Sequence, residues 1–194
     1  MKKFLESLDA CRDAVEWVGD KTLDDAWNTC ERGDWRLWIA GRLDIDRKLL
    51  VLAACECART SLVYVPVGET RPLRAIETAE AWCRGETTIE DVRTAAHAAA
   101  YAAYAAYAAA HAAYAAAHAA YAATTAYAAA YASDAAYAAA HAAAHAAYAA
   151  ADAYAYDAAA YVSDRANSLK KMAKIVRSVI NIKDVREAIG KDKS

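Results

Sequence analysis

Residues 95–160 constrain the fold more than any other part of the chain. They hold 44 alanines, 11 of the 13 tyrosines, all five histidines and only three charges, Asp134, Asp152 and Asp157. From His97 to Asp152 a stripe of Tyr, His, Thr and Asp recurs at a mean spacing of about 3.44 residues, close to the 3.5 of a left-handed supercoil. Alanine fills the remaining positions and is the best helix former. The segment therefore predicts helix, and as one rod it would exceed ~90 Å. Helical hairpins are the more compact solution. The expected breaks are Thr124-Thr125 and Ser133-Asp134, with another at Asp152 to Asp157, where the spacing slips to two. Alanine faces let helix axes approach to nearer ~8 Å than 10 Å. A buried methyl yields only ~0.8 kcal/mol, so tyrosine rings are expected to fill the seam with alanine outward. Exposed alanine surface would favour self-association, giving a homodimer or higher homo-oligomer.

The rest of the chain has an ordinary composition. All five tryptophans and all five cysteines lie at or before position 83, and charged residues make up about 35% of the sequence outside the alanine zone. Two prolines, six glycines and the lack of Val/Ile/Thr alternation exclude a β-rich fold. A net charge of −2 argues against a nucleic-acid polymer as partner. The start, Met1-Lys-Lys-Phe-Leu-Glu, has no apolar leader segment, and polar residues interrupt the alanine zone too often for a membrane span. A cytoplasmic chain with no membrane partner is expected. The predicted fold is all-α: a helical bundle with a long Ala/Tyr/His-rich arm or hairpin packed as a coiled-coil-like extension. Its parts would be a body at 1–94, the alanine segment at 95–161 and amphipathic C-terminal helices at 162–194 that pack back on the body, one domain overall. The tail carries +5 and the body −4, which suits such docking, and solvated helix faces explain the charges equally well.

Local signals mark the helices. Residues 3–18 (Phe4, Leu8, Cys11, Val15, Val18) read as one amphipathic helix stopping at Gly19. Thr22 opens the next, which Gly33 is expected to close. Asp34 would cap a short helix with Trp35, Trp38 and Ile39, ending near Gly41. Asp46 to about Tyr64 reads as the central buried helix, stopped before Pro66. Residues 72–84 begin with proline and end at Gly85. Thr87 or Thr88 with Glu90-Asp91 starts another helix running into the alanine zone, and Leu169, Met172, Ile175, Val176, Val179 and Ile180 form the apolar stripe of the tail.

Few residues point to chemistry. The five cysteines are an odd number without a CxxC pair, and Cys55-x-Cys57 is the wrong spacing for zinc on a helix, so they read as small buried side chains. His141 and His145 sit one turn apart, a spacing that binds transition metals, with Asp134, Asp152, His111 or His118 able to complete a site; Tyr/His interchange within a repeat is the plainer explanation. Arg42, Arg47, Arg59, Arg71, Arg74 and Arg84 could offer guanidinium forks to phosphate. Trp35, Trp38, Trp82 and the tyrosines, Tyr104 and Tyr114 among them, could stack on a base. The alternative is that these arginines pair with Asp34, Asp44, Asp46, Glu77 and Glu80. No nucleophile elbow, Cys–His pair or glycine-rich phosphate loop is present, so neither catalysis nor a cofactor is expected.

Three strings carry a resemblance: Cys30-Glu-Arg-Gly-Asp-Trp-Arg-Leu-Trp-Ile-Ala-Gly-Arg42, Arg47-Lys-Leu-Leu-Val-Leu-Ala-Ala-Cys-Glu-Cys-Ala-Arg59 and Ala75-Ile-Glu-Thr-Ala-Glu-Ala-Trp-Cys-Arg-Gly-Glu86, followed by the alanine segment and a Leu-Lys-Lys-x-Ala-x-Ile-Val-Arg tail. Here the chain resembles the small all-helical immunity proteins of bacterial toxin–immunity loci, a family also found in phage genomes. The resemblance implies a non-catalytic protector that binds a toxin or a defence component. Its pattern residues would be Asp34, Trp35, Trp38, Arg42, Arg59, Glu77 and Trp82, with Trp38 and Trp82 in the core. A second reading from the Trp/Tyr/Arg content is a sponge that sequesters a nucleotide signal between helices.

Overall fold

The computed structural model of the chain describes residues 1–43, 45–102, 116, 119–120 and 158–191, and all secondary structure among them is helical. The helices are α1 (Lys2–Ser7), α2 (Arg12–Val18), α3 (Leu23–Thr29), α4 (Gly33–Arg42), α5 (Arg47–Arg59), α6 (Arg71–Arg84), α7 (Ile89–Ala102), α8 (Ala158–Val179) and α9 (Ile182–Lys191), with a 3-10 turn at Leu62–Tyr64. The protein is all-α, as composition demands. The proposed breaks at Thr124-Thr125, Ser133-Asp134 and Asp152 to Asp157 lie outside the described residues.

α5 is the centre of the core. Leu50, Val51, Ala53, Ala54, Cys55, Cys57 and Ala58 are all buried on it, and α4, α6 and α8 pack around it. Asp46 starts this helix by accepting a bond from the Lys48 amide at 2.9 Å. Its end differs from the expected run to Tyr64. The helix stops at Arg59, where Thr60 and Ser61 turn their hydroxyls back onto the Cys57 and Ala58 carbonyls and divert the chain into the 3-10 turn. α6 then runs from Arg71, with Pro72 in its first turn, to a left-handed cap at Gly85. α7 opens with reciprocal bonds between Thr88 and Asp91.

Two other boundaries correct the sequence reading. The stretch expected as one helix over 3–18 is two, because Asp9 adopts a left-handed φ of 58° and reverses the chain between α1 and α2. Gly33 does not stop α3 but is the first residue of α4, whose end at Arg42 agrees with the expected end near Gly41. α3 ends earlier, at Thr29. Gly33 is needed for a different reason: a Cβ there would meet Cβ of Met172 at 2.6 Å and the Ala173 backbone at 2.9 Å, so its bare backbone lets α4 and α8 touch. Asp34 does not cap α4 either, since its carboxylate is held by Arg32.

Part of the alanine zone is described, and there the alanines are the buried residues. Ala96, Ala99, Ala116, Ala119 and Ala120 are fully enclosed in the main core, whereas His97 is exposed. At these positions alanine faces the core and not solvent, and a methyl-sized side chain lets α7 lie close against the body; the side chains of the stripe tyrosines lie outside the described residues. α8 starts within the alanine zone and continues through the amphipathic tail, so the composition boundary at 161/162 falls inside one helix. Its Leu169, Met172 and Val176 are buried in the main core, along with Ile180 just beyond it. The basic tail meets acidic and polar groups near α3: Lys170 pairs with Glu31 at 3.0 Å, Arg186 pairs with Asp24, and Arg177 donates to the Asn28 carbonyl. No helix among the described residues is long and apolar enough to cross a membrane.

A smaller apolar cluster of Leu5, Val15, Val18 and Ala26 forms where α1, α2 and α3 meet, beside the main core. A cavity lies at the seam between the two clusters among the described residues.

Candidate functional site: a tryptophan-walled cavity

The cavity encloses about 370 Å³ and draws its wall from both ends of the chain. Met1 and Leu5 come from the start, Trp17 and Val18 from α2, and Leu23, Ala26 and Trp27 from α3. α4 supplies Trp35, Arg36, Trp38 and Ile39, and α9 closes one side with Val185. Four of the five tryptophans therefore face one space.

Each indole is held by a cation. Lys21 Nζ lies 4.5 Å from the Trp17 ring centre, and the guanidinium carbon of Arg32 lies 4.4 Å from Trp35. Arg36 sits 5.0 Å from Trp27 and Arg42 5.3 Å from Trp38. Trp17 and Trp35 meet edge to face with centroids 6.1 Å apart. Such contacts are worth about 0.5–1 kcal/mol each when exposed and more when desolvated, enough to hold a ring in one orientation. Asp34 contributes indirectly: its two oxygens take Arg32 Nε at 2.8 Å and Nη2 at 2.5 Å, fixing that guanidinium over Trp35.

Arg36 is the unusual member. It is 1% exposed, yet it lies on the same face of α4 as Gly33, Leu37 and Ala40, the face that meets the core. Its Nε and Nη2 both donate to the Cys30 carbonyl, at 3.0 and 2.8 Å, closing the C-terminal end of α3. Nη1 is buried and has no hydrogen-bond partner among the described residues. Burial, with Arg177 adding like charge, lowers the Arg36 pKa to about 10, so the group stays cationic at neutral pH.

The residues singled out from sequence divide sharply. Trp35 and Trp38 line the cavity, and Asp34 and Arg42 steady them. Trp82 is half-buried against the main core. The phosphate-fork set does not converge. Arg59 is paired with Glu80 at 2.6 Å, Arg71 with Glu69, and Arg84 with Glu86 at 2.7 Å, while Arg74 and Glu77 are exposed on α6. Of the carboxylate partners expected for these arginines, Glu80 takes Arg59, whereas Arg71 and Arg84 pair with Glu69 and Glu86, acids next to them in sequence that were not among those expected. Tyr104, His111, Tyr114, His118, His141 and His145 lie outside the described residues. Sequence reasoning missed Trp17, Trp27 and Arg36. An arginine on an otherwise apolar α4 face was the available signal.

Cys30, Cys55, Cys57 and Cys83 are buried and Cys11 is exposed, all as free thiols. Burial raises the pKa of each buried thiol, that of Cys83 to about 11, which keeps them protonated and poorly nucleophilic. Among the described residues no group of three or more His, Cys, Asp or Glu is placed to hold a metal ion. Comparison with protein-family models, with curated proteins and with solved structures finds no match to this chain.

Proposed function

We propose that the chain is a capture protein, which binds a small molecule in the tryptophan-walled cavity and withholds it without transforming it. The observation that carries this reading is the wall: indoles from α2, α3 and α4 surround one space of about 370 Å³, within the range of small-molecule sites. Flat or apolar ligands suit it, because indole faces offer large contact area at low entropic cost. A nucleotide with several phosphates suits it less. Arg59, Arg71 and Arg84 are already paired with carboxylates, and the cavity wall carries a single guanidinium, Arg36. The protective role implied by the immunity-protein resemblance would then act by removing a small effector or signal, rather than by covering a toxin surface.

The test is a thermal-shift and tryptophan-fluorescence screen of the full chain against flat aromatic, aliphatic and nucleotide compounds. Ligands that fill the cavity should raise the melting temperature, the added stability being about 2.7 kcal/mol at a free concentration a hundredfold above Kd. Trp35→Ala should weaken them. A screen in which no compound moves either signal overturns the reading, and selective response to polyphosphate nucleotides replaces it with the nucleotide sponge.

A further inference from the structure

We infer that the cavity takes a flat aromatic monocarboxylate, its ring lying among the tryptophans and its anionic head balancing the buried guanidinium of Arg36. This rests on the capture reading above and names the class of ligand. Arg36 is one-hundredth exposed and forms part of the cavity wall. Closing α3 explains two of its nitrogens, since Nε and Nη2 share the Cys30 carbonyl. It does not explain Nη1, which is buried with no hydrogen-bond partner among the described residues. A buried donor left unmade is costly, and a buried charge more so.

The acid on the same helix offers no relief, because both oxygens of Asp34 are held by Arg32. Arg177 adds a second positive charge nearby instead of compensating the first. The Cys30 carbonyl, at the negative end of α3, supplies only a partial charge. The wall is thus mostly apolar with one buried guanidinium in it, and the charge of Arg177 lies close behind. An anion lodged against the apolar part of the wall is attracted to the Arg36 charge, and the attraction is stronger beside buried groups than in bulk water. A polyphosphate suits the site less, because several negative charges would be desolvated against a wall that carries one guanidinium. An amine is disfavoured by sign. Asp9, the sole acid of the wall, is exposed and solvated.

The experiment titrates the full chain by calorimetry and tryptophan fluorescence with four probes of one shape: indole-3-acetate, indole-3-acetamide, 3-methylindole and tryptamine. The acid is expected to bind about tenfold or more tightly than the amide, which corresponds to about 1.4 kcal/mol of attraction to the buried charge. Arg36→Gln should reduce the acid-to-amide ratio to near one while 3-methylindole still binds. Should that variant fail to fold, the wild-type ratio decides alone. Equal binding of acid and amide, or tighter binding of tryptamine, overturns the inference and leaves the capture reading standing. Silence from all four probes, with other compounds active in the screen, overturns the inference alone. Silence across the whole screen removes both.

Discussion

At Gly33 the chain tolerates nothing larger than hydrogen. A methyl group would have to displace Met172 and the Ala173 backbone, so Gly33→Ala is expected to destabilise by roughly 1–3 kcal/mol despite alanine's better helix propensity. Urea denaturation measures this directly, and a neutral or stabilising result would show that α4 and α8 have room to separate. The sequence could not show this constraint, because a glycine between two helical patterns looks like a stop unless its distant neighbour is known. Arg36 was hidden for a related reason: composition counts an arginine as surface, and only the α4 face it occupies marks it as buried. Trp35 and Trp38 were legible because aromatic density near arginines is a local signal, and of the arginines that lie on indoles Arg42 was singled out with them whereas Arg32 and Arg36 were not. A pH effect is also expected at Glu69. Its bonds to Arg71 hold its carboxyl pKa at about 2, below the ordinary 4.5. A depressed acid stabilises the folded state above the unfolded pKa and loses that contribution as pH falls through the folded value. The difference between wild type and Glu69→Gln should therefore be small at pH 7 because the pair is solvated, and should vanish between pH 4.5 and 2.

The elements are fixed mostly by their ends and by which face is small. Thr88 and Asp91 exchange bonds at the start of α7, and Thr88→Ala should cost about 1 kcal/mol in chemical denaturation. That start was readable from Thr87-Thr88-Ile-Glu-Asp, as was the Pro72-to-Gly85 span of α6, because caps are local chemistry. The split between α1 and α2 was not, since the amphipathic period runs through Asp9 and only its backbone angle breaks it. The burial of Ala96 and Ala99 on α7 was not foreseen, because the expectation weighed apolar area alone. Burying a methyl yields little by itself, but small side chains let α7 lie close against α6, in the same core that buries Leu50 and Ile76. Leu50→Ala or Ile76→Ala should accordingly cost 2–5 kcal/mol, on the order expected for a core cavity.

For the whole molecule, thiol chemistry reports how complete the packing is. In the native state a disulfide-forming reagent should modify Cys11 promptly, while Cys30, Cys55, Cys57 and Cys83 react only as the chain opens. Prompt reaction of more than one thiol would mean a looser core than the one described. The all-α class and the apolar stripe of α8 followed from composition and period, whereas the cavity did not, because it arises only when α1, α2, α3, α4 and α9 are brought together. That origin has a mechanical corollary. Met1 and Val185 border the same chamber, so a guest lodged there would clasp the first and last helices of the chain. Amide protons at the two extremities should then exchange more slowly in concert, turning occupancy of one interior space into a latch on the termini.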